Sequence, residues 1–310
     1  MTDRFERLVV LANPNSTRAR KVAQNVLARL DDAGVRHETV TTRSANTSDN
    51  IADLSATIRP GDTWISAAGD GTAMALVNAT LRQEPKTAAS VKLGFLGYGN
   101  FNDVAGSQRD PLELLADNAQ TQPLHPMTIE VNGKLWRYSP AYLTLGATAR
   151  LAAGFGQDTS REQLKESSEH TKLLRSLVQL GRDYFDVRSE YLPAFHASHS
   201  LTVRNAVTDV LFINSPRVGR IIRSTTDYAQ QPTFGYRESN VASIARNIPF
   251  GIAALAGFTP ATAMTGQRLT WDRPANLPAQ TEGEFESLED VTDLFVYKDP
   301  QTVLKMLKAA

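Results

Sequence analysis

The sequence predicts an α/β protein: an N-terminal three-layer α/β domain with a mostly parallel sheet, followed by a C-terminal β-rich, sandwich-like domain. Three observations predict it. The opening third alternates strand-like and helix-like runs, the rhythm of βαβ units beneath covering helices. Near Leu124 that rhythm stops, and strand-like runs follow one another without helices between them. The chain's 310 residues, 41% of them hydrophobic, suffice for one large domain or two moderate ones with real cores.

RLVVLANP (7–14) reads as a buried strand ending in the turn Asn13-Pro14-Asn15-Ser16-Thr17. ARKVAQNVLARLDDAG (19–34) follows as a helix, with Val22, Val26, Leu27 and Leu30 at helical spacing and Gly34 as its stop. VRHETVTT (35–42) is a second strand, and NTSDNIADLSATI (46–58) a helix with Ile51, Leu54 and Ile58 on one face. DTWISAA (62–68), TAMALVNATLRQ (72–83) and VKLGFLGYGN (91–100) continue as strand, helix and strand. Beyond Leu124, TIEVNG (128–133), KLWRYSPAYLTLG (134–146), HSLTVRN (199–205) and DVLFINS (209–215) read as strands. The exception is a helix over about 161–187, where Leu173, Leu174, Leu177, Leu180 and Tyr184 share a face. DVTDLFVY (290–297) is a closing strand, and PQTVLKMLKAA (300–310) reads as a short terminal helix.

Composition excludes several classes. Lys+Arg and Asp+Glu both number 33, so there is no global basic field and no nucleic-acid partner is expected. Without cysteine there are no disulfides, thiolate metal sites or cysteine nucleophiles, which fits a reducing compartment. The apolar run Leu8–Ala12 is too short for a signal-peptide core. Ile248–Phe258 is shorter than the roughly 20 residues that span a bilayer. The expectation is a soluble, cytoplasmic protein, at most peripheral at a membrane.

In α/β sheets, ligands bind outside the carboxyl ends of the strands. Three polar turns gather there: Asn13-Pro14-Asn15-Ser16-Thr17, Gly69-Asp70-Gly71-Thr72, and Gly97–Asp103. Glycines let backbone N–H groups approach an anion, and a helix N-terminus adds a favourable dipole. Asp70 and Asp103 are candidates to hold or orient a magnesium ion carried by phosphates. No GxxxxGK[ST] is present, so this is not a P-loop, and no GxGxxG follows the first strand, which argues against a dinucleotide-dependent oxidoreductase. Arg217, Arg220 and Arg223 either hold an anionic headgroup or phosphates, or face solvent from a strand. The five histidines are taken as structural.

The chain resembles the diacylglycerol kinase catalytic-domain family of lipid kinases, which includes bacterial diacylglycerol kinases and sphingosine kinases and shares a superfamily with NAD kinase. That family has an early Asn-Pro turn, a GGDGT loop, a GTxND loop and, much later, a DGE. Here NPNST (13–17), AGDGT (68–72), GNFND (99–103) and EGE (282–284) stand in those places, with Gly146 closing YLTLG as in the family. Departures are Ala68, Met74, Ala75, Asn100 and Phe234, the last where the family has an aspartate of a structural magnesium site.

The resemblance implies an ATP-binding domain over 1–124, a lipid-substrate domain over 125–296, and a terminal segment 297–310 that packs back on the first. It implies ATP and Mg2+ as cofactors and a membrane lipid of the diacylglycerol or sphingoid type as phosphate acceptor. Glu284 takes the place of the general base, with Asp70 as its catalytic companion. The implied ATP-binding set is Asn13, Pro14, Asn15, Ser16, Thr17, Thr41, Gly69, Asp70, Gly71, Thr72, Gly99, Asn100, Asn102 and Asp103. Asp70 and Asp103 would meet the ATP-bound metal, and Arg220, Arg223 and Glu282 face substrate or phosphate. Two alternatives remain at this point: a non-catalytic nucleotide- or lipid-binding protein, and a kinase for a soluble alcohol or nucleotide. Oligomeric state, a homodimer included, is left open.

Overall fold

The structure, a computed structural model, describes residues 5–14, 17–43, 46–98, 103–104, 108–150, 191–218, 222–224, 226–239 and 261–309. The helix expected at 161–187 and the apolar run Ile248–Phe258 lie outside these residues.

The first domain runs β1 (Leu8–Ala12), α1 (Thr17–Asp32), β2 (Glu38–Thr41), α2 (Thr47–Ser55), β3 (Thr63–Ser66), α3 (Asp70–Leu81), α4 (Pro85–Ser90), β4 (Lys92–Phe95), α5 (Pro111–Leu115) and β5 (Gln120–Leu124). β1 and β3 are buried along their length, as strands covered by helices on both faces must be. Asn46 caps α2 by accepting from the Ser48 amide at 2.8 Å. Asp110 caps α5 the same way, and Pro111 sits in its first turn. α3 is buried on nearly every side, including Met74, Leu76, Val77 and Thr80, so it lies inside the protein rather than on its surface.

The second domain contains β6 (Met127–Val131), β7 (Lys134–Ser139), β8 (Tyr142–Gly146), β9 (Phe195–Ala197), β10 (Val203–Arg204), β11 (Asp209–Ile213), β12 (Arg217–Val218), β13 (Ile222–Arg223), β14 (Phe234–Ser239), β15 (Thr262–Met264), β16 (Gly266–Thr281) and β17 (Glu284–Tyr297), after which the chain ends in β18 (Leu304–Lys308). Its main sheet runs β15-β14-β11-β8-β16-β17-β6-β7, with β9 and β10 attached through β16. Its core gathers Leu143, Leu145, Phe212, Phe234, Leu277 and Val296. The long β16–β17 hairpin shifts register between Thr270 and Leu277, the irregularity that bends a long strand.

The first sheet is ordered β2-β1-β3-β4-β18-β5, parallel except that β5 runs against β18. The terminal helix expected at 300–310 is therefore corrected to a strand. Its Val/Leu/Met pattern fits either period. A slot between β4 and β5 offers backbone partners on both sides, which outweighs the helix propensity of Leu, Lys and Met.

Two buried polar groups tie distant segments together. Buried Asn78 of α3 donates to the Tyr138 carbonyl of β7 at 2.7 Å and accepts from the Tyr138 amide at 2.9 Å. Lys298, between β17 and β18, is 5% exposed and donates to the carbonyls of Tyr228 and Gln231 at 2.5 and 2.8 Å. Burial lowers its pKa from 10.5 to about 7, against the opposing pull of Asp227. An unfolded lysine keeps its proton up to about 10.5, whereas the native one releases it above about 7. Between those values the unfolded state binds more protons, so this group makes stability rise with pH. Chemical denaturation across that window should show the rise, and Lys298→Met should flatten it; an equal slope in both proteins would rule the effect out.

Candidate functional site

The site is assembled at the carboxyl ends of β1, β3 and β4, where a parallel sheet exposes its loops. After β1, Asn13 donates from Nδ2 to Thr72 Oγ1 at 3.3 Å, tying the first turn to α3. The Pro14 carbonyl accepts from Arg20 at 3.1 Å. Thr17 opens α1, while Asn15 and Ser16 lie outside the described residues. Thr41 ends β2 beside Ala12 and is exposed; its neighbour Thr42 is the buried one, with its amide on the Ala12 carbonyl at 3.0 Å.

After β3 the chain turns straight into α3. Gly69 is the N-cap residue and provides no side-chain cap. The Thr72 amide turns back onto the Gly69 carbonyl at 3.1 Å, and the positive end of the helix dipole here is the kind of place where anions are held. Asp70, the first helical residue, is 7% exposed and accepts from the Val104 amide at 3.4 Å. That bond joins the GDGT loop to the loop after β4, in which Asp103 is also buried. Gly99, Asn100 and Asn102 lie outside the described residues.

The second domain delivers its own carboxylates by hairpin. Thr281 and Glu284 are register partners at the end of β16 and the start of β17, leaving Glu282 and Gly283 as a two-residue turn. Both have positive φ, 46° and 86°, as a type I′ turn demands. The turn carries Glu284 onto the start of α3. A Cβ placed on Gly71 would lie 2.3 Å from Glu284 Oε1, a separation only a glycine permits. Two of the chain's motifs, GDGT and EGE, therefore meet side by side.

Glu282, expected from sequence to face substrate or phosphate, is turned inward. It is 2% exposed, and its Oε1 accepts from Ser139 Oγ at 2.5 Å, the Ala141 amide at 2.8 Å and the Tyr142 amide at 3.1 Å. Burial pushes its pKa up to about 7 in spite of those bonds. Tyr142 is fully buried. Its phenol is held above its ordinary value, first by burial and then by the charges of Asp103, Glu282 and Asp70. Of the arginines, Arg223 lies in the β12–β13 ribbon, where Arg217 is its register partner, and Arg220 is outside the described residues.

Ser139, Ala141 and Tyr142, which hold Glu282, are not singled out by the sequence. Their signal is the Ser-Pro-Ala-Tyr break inside what reads as one strand, 134–146, and which the structure divides into β7 and β8. Of the departures from the family pattern, Asn100 lies outside the described residues and the other four are packing residues. Ala68, Met74, Ala75 and Phe234 are all buried. Met74 accepts from Thr281 Oγ1 at 3.3 Å, and Phe234 packs on Phe212 with ring centroids 5.9 Å apart. None of these residues displaces Asp70, Asp103 or Glu284. Among the described residues no three His, Asp or Glu side chains are arranged to hold a metal ion, and no helix is long and apolar enough to cross a membrane.

Residues 7–128 match the family model of the diacylglycerol kinase catalytic domain. Two structures of a protein from Bacillus anthracis str. Sterne, assigned as a diacylglycerol kinase, superpose with TM-scores of 0.67 and 0.66 at 15% and 14% identity. Each superposition covers 98% of this chain and 97% of the other. A third, named a diacylglycerol kinase from the same organism, gives a TM-score of 0.64 at 11% identity with the same coverage. At such identities the likeness is one of fold, and it extends along the whole chain. No curated protein matches the sequence.

Proposed function

We propose that this chain, a diacylglycerol kinase catalytic-domain protein through residues 7–128, is an ATP-dependent lipid kinase that phosphorylates the hydroxyl of a diacylglycerol- or sphingoid-type lipid. The observation that carries the reading is the seat of the Glu284 carboxylate against Gly71 at the N-terminus of α3. ATP with Mg2+, when bound, supplies the γ-phosphoryl group and neutralises its charge. The residues present fit that pair. The dipole at the start of α3 and the glycines Gly69 and Gly71 favour close backbone approach to phosphate oxygens. Asp70 and Asp103 are both buried, in two loops joined by the bond from the Val104 amide to Asp70, which suits oxygen ligation of a phosphate-borne metal rather than a dedicated protein cage.

Glu284 takes the proton from the acceptor hydroxyl as that oxygen attacks. Phosphoryl transfer needs little covalent help, so orientation of the acceptor beside the anion-binding helix end does most of the remaining work. Phe285, next to Glu284 in the chain, is 42% exposed and gives an apolar acceptor a surface beside the base. A membrane lipid as acceptor brings peripheral membrane contact into this reading, and ATP as donor brings a cytoplasmic location. The burial of Met74, Ala75 and Phe234 in the core favours this reading over a decayed, non-catalytic site. The test is transfer of labelled γ-phosphate from ATP to diacylglycerols and sphingoid bases in mixed micelles, alongside calorimetry of ATP with Mg2+. Phospholipid product is expected; ATP binding without transfer to any lipid would favour a non-catalytic protein, and no ATP binding would end the kinase reading.

A further inference from the structure

We propose that Glu282 is a positioning residue: it anchors the tip of the β16–β17 hairpin and thereby holds Glu284 against Gly71. This rests on the reading of Glu284 as the base. The turn that presents Glu284 needs two residues at positive φ, a conformation that Asn, Asp and Gly adopt readily and glutamate does not. A glutamate at φ 46° is held by something other than local preference.

The side chain shows what holds it. Glu282 folds back beneath the turn, and one oxygen collects three donors from the β7–β8 connection: Ser139 Oγ, the Ala141 amide and the Tyr142 amide. Tyr142 and the Gly283 backbone meet on the next step of the turn. Thr281, on the other side, accepts from Arg137 Nη1 at 3.0 Å and donates to Met74 Sδ at 3.3 Å. The tip is thus fastened on both sides of Glu282, and only Gly283 separates that anchor from Glu284. A shift of about 1 Å in a reacting group is enough to cost about a hundredfold in rate, so the anchor's length matters. A side chain one methylene shorter cannot reach the same three donors from the same backbone.

Glu282→Asn and Glu282→Gln separate reach from turn preference. Asn-Gly is the favoured type I′ pair, so Glu282→Asn keeps the turn and folds, but loses the reach. Glu282→Gln keeps the reach and an accepting Oε1. With labelled ATP and lipid, Glu282→Asn should lower kcat by about tenfold or more with KM for ATP within about twofold, while Glu282→Gln loses at most about threefold. Selective 15N-glycine labelling reads the Gly71 amide without turnover: its resonance should move in Glu282→Asn and stay in Glu282→Gln. Ser139→Ala removes one donor without touching the turn and should move Gly71 in the same direction. A folded Glu282→Asn or Ser139→Ala protein with an unmoved Gly71 resonance overturns the anchor. If the parent transfers no phosphate, or Glu284→Gln transfers as fast as the parent, the base assignment fails instead, and the Gly71 resonance alone decides the anchor.

Discussion

Replacing Glu284 with glutamine should lower phosphoryl transfer by about a hundredfold or more, the range in which a positioned general base contributes. The change is close to isosteric, so the side chain still fills the space beside Gly71 and the fold is retained. What disappears is the ability to accept the hydroxyl proton. The carboxylate also lies at the positive end of the α3 dipole, an arrangement that stabilises a helix by about 0.3–1 kcal/mol. Its loss should therefore cost less than about 1 kcal/mol in denaturation experiments. Removing a negative charge from the anion-binding end of α3 gives a further sign: KM for ATP should stay level or fall. Steady-state kinetics with labelled ATP checks both parts. A variant that keeps the parental kcat would remove Glu284 from the mechanism.

Gly71→Ala should separate activity from stability in the opposite direction. An added Cβ meets Glu284 Oε1 at 2.3 Å and Cδ at 3.1 Å, so the carboxylate must leave its position. The obstacle is the far end of a flexible side chain and not backbone, so the fold can absorb the change. Alanine is also the better helix residue, by about 0.5–1 kcal/mol. The expected variant is as stable as the parent or slightly more so, yet slower by about tenfold to a hundredfold, because the base is displaced by more than the tolerance of a near-attack geometry. Circular dichroism, a urea titration and transfer kinetics on the same preparation test the pairing. A loss of activity accompanied by an equal loss of folded protein would refute it.

The fold was largely legible because its first domain is written in two clear periods. β1, β3 and the helices that cover them carry continuous apolar runs or helical spacing, and the GDGT turn announces the strand end at which the site lies. The places that were hard to read have physical reasons. β18 takes its identity from two strands that hydrogen-bond to it, β4 and β5, and not from its own propensity. β16 contains Pro274 and Pro278, which ordinarily argue against a long strand; a register shift accommodates the first of them. At the site, the acids Asp70, Asp103 and Glu284 were named from motifs, and Asp70 and Glu284 lie at the same helix end, Glu284 against Gly71. The inward turn of Glu282 was not legible. It depends on a positive-φ hairpin residue whose side chain finds donors on a strand connection far away in sequence.

The central claim is that Gly71 and Glu284 form one working unit across the two domains, and a double-mutant cycle measures it most directly. Gly71→Ala, Glu284→Gln and the double variant are compared with the parent for transfer of labelled phosphate from ATP to a lipid hydroxyl. If Gly71→Ala acts by displacing the base, the double variant should be no slower than Glu284→Gln alone, a coupling that neighbouring residues show and independent sites do not. Losses that multiply would mean that the two residues act separately, and would contradict the account.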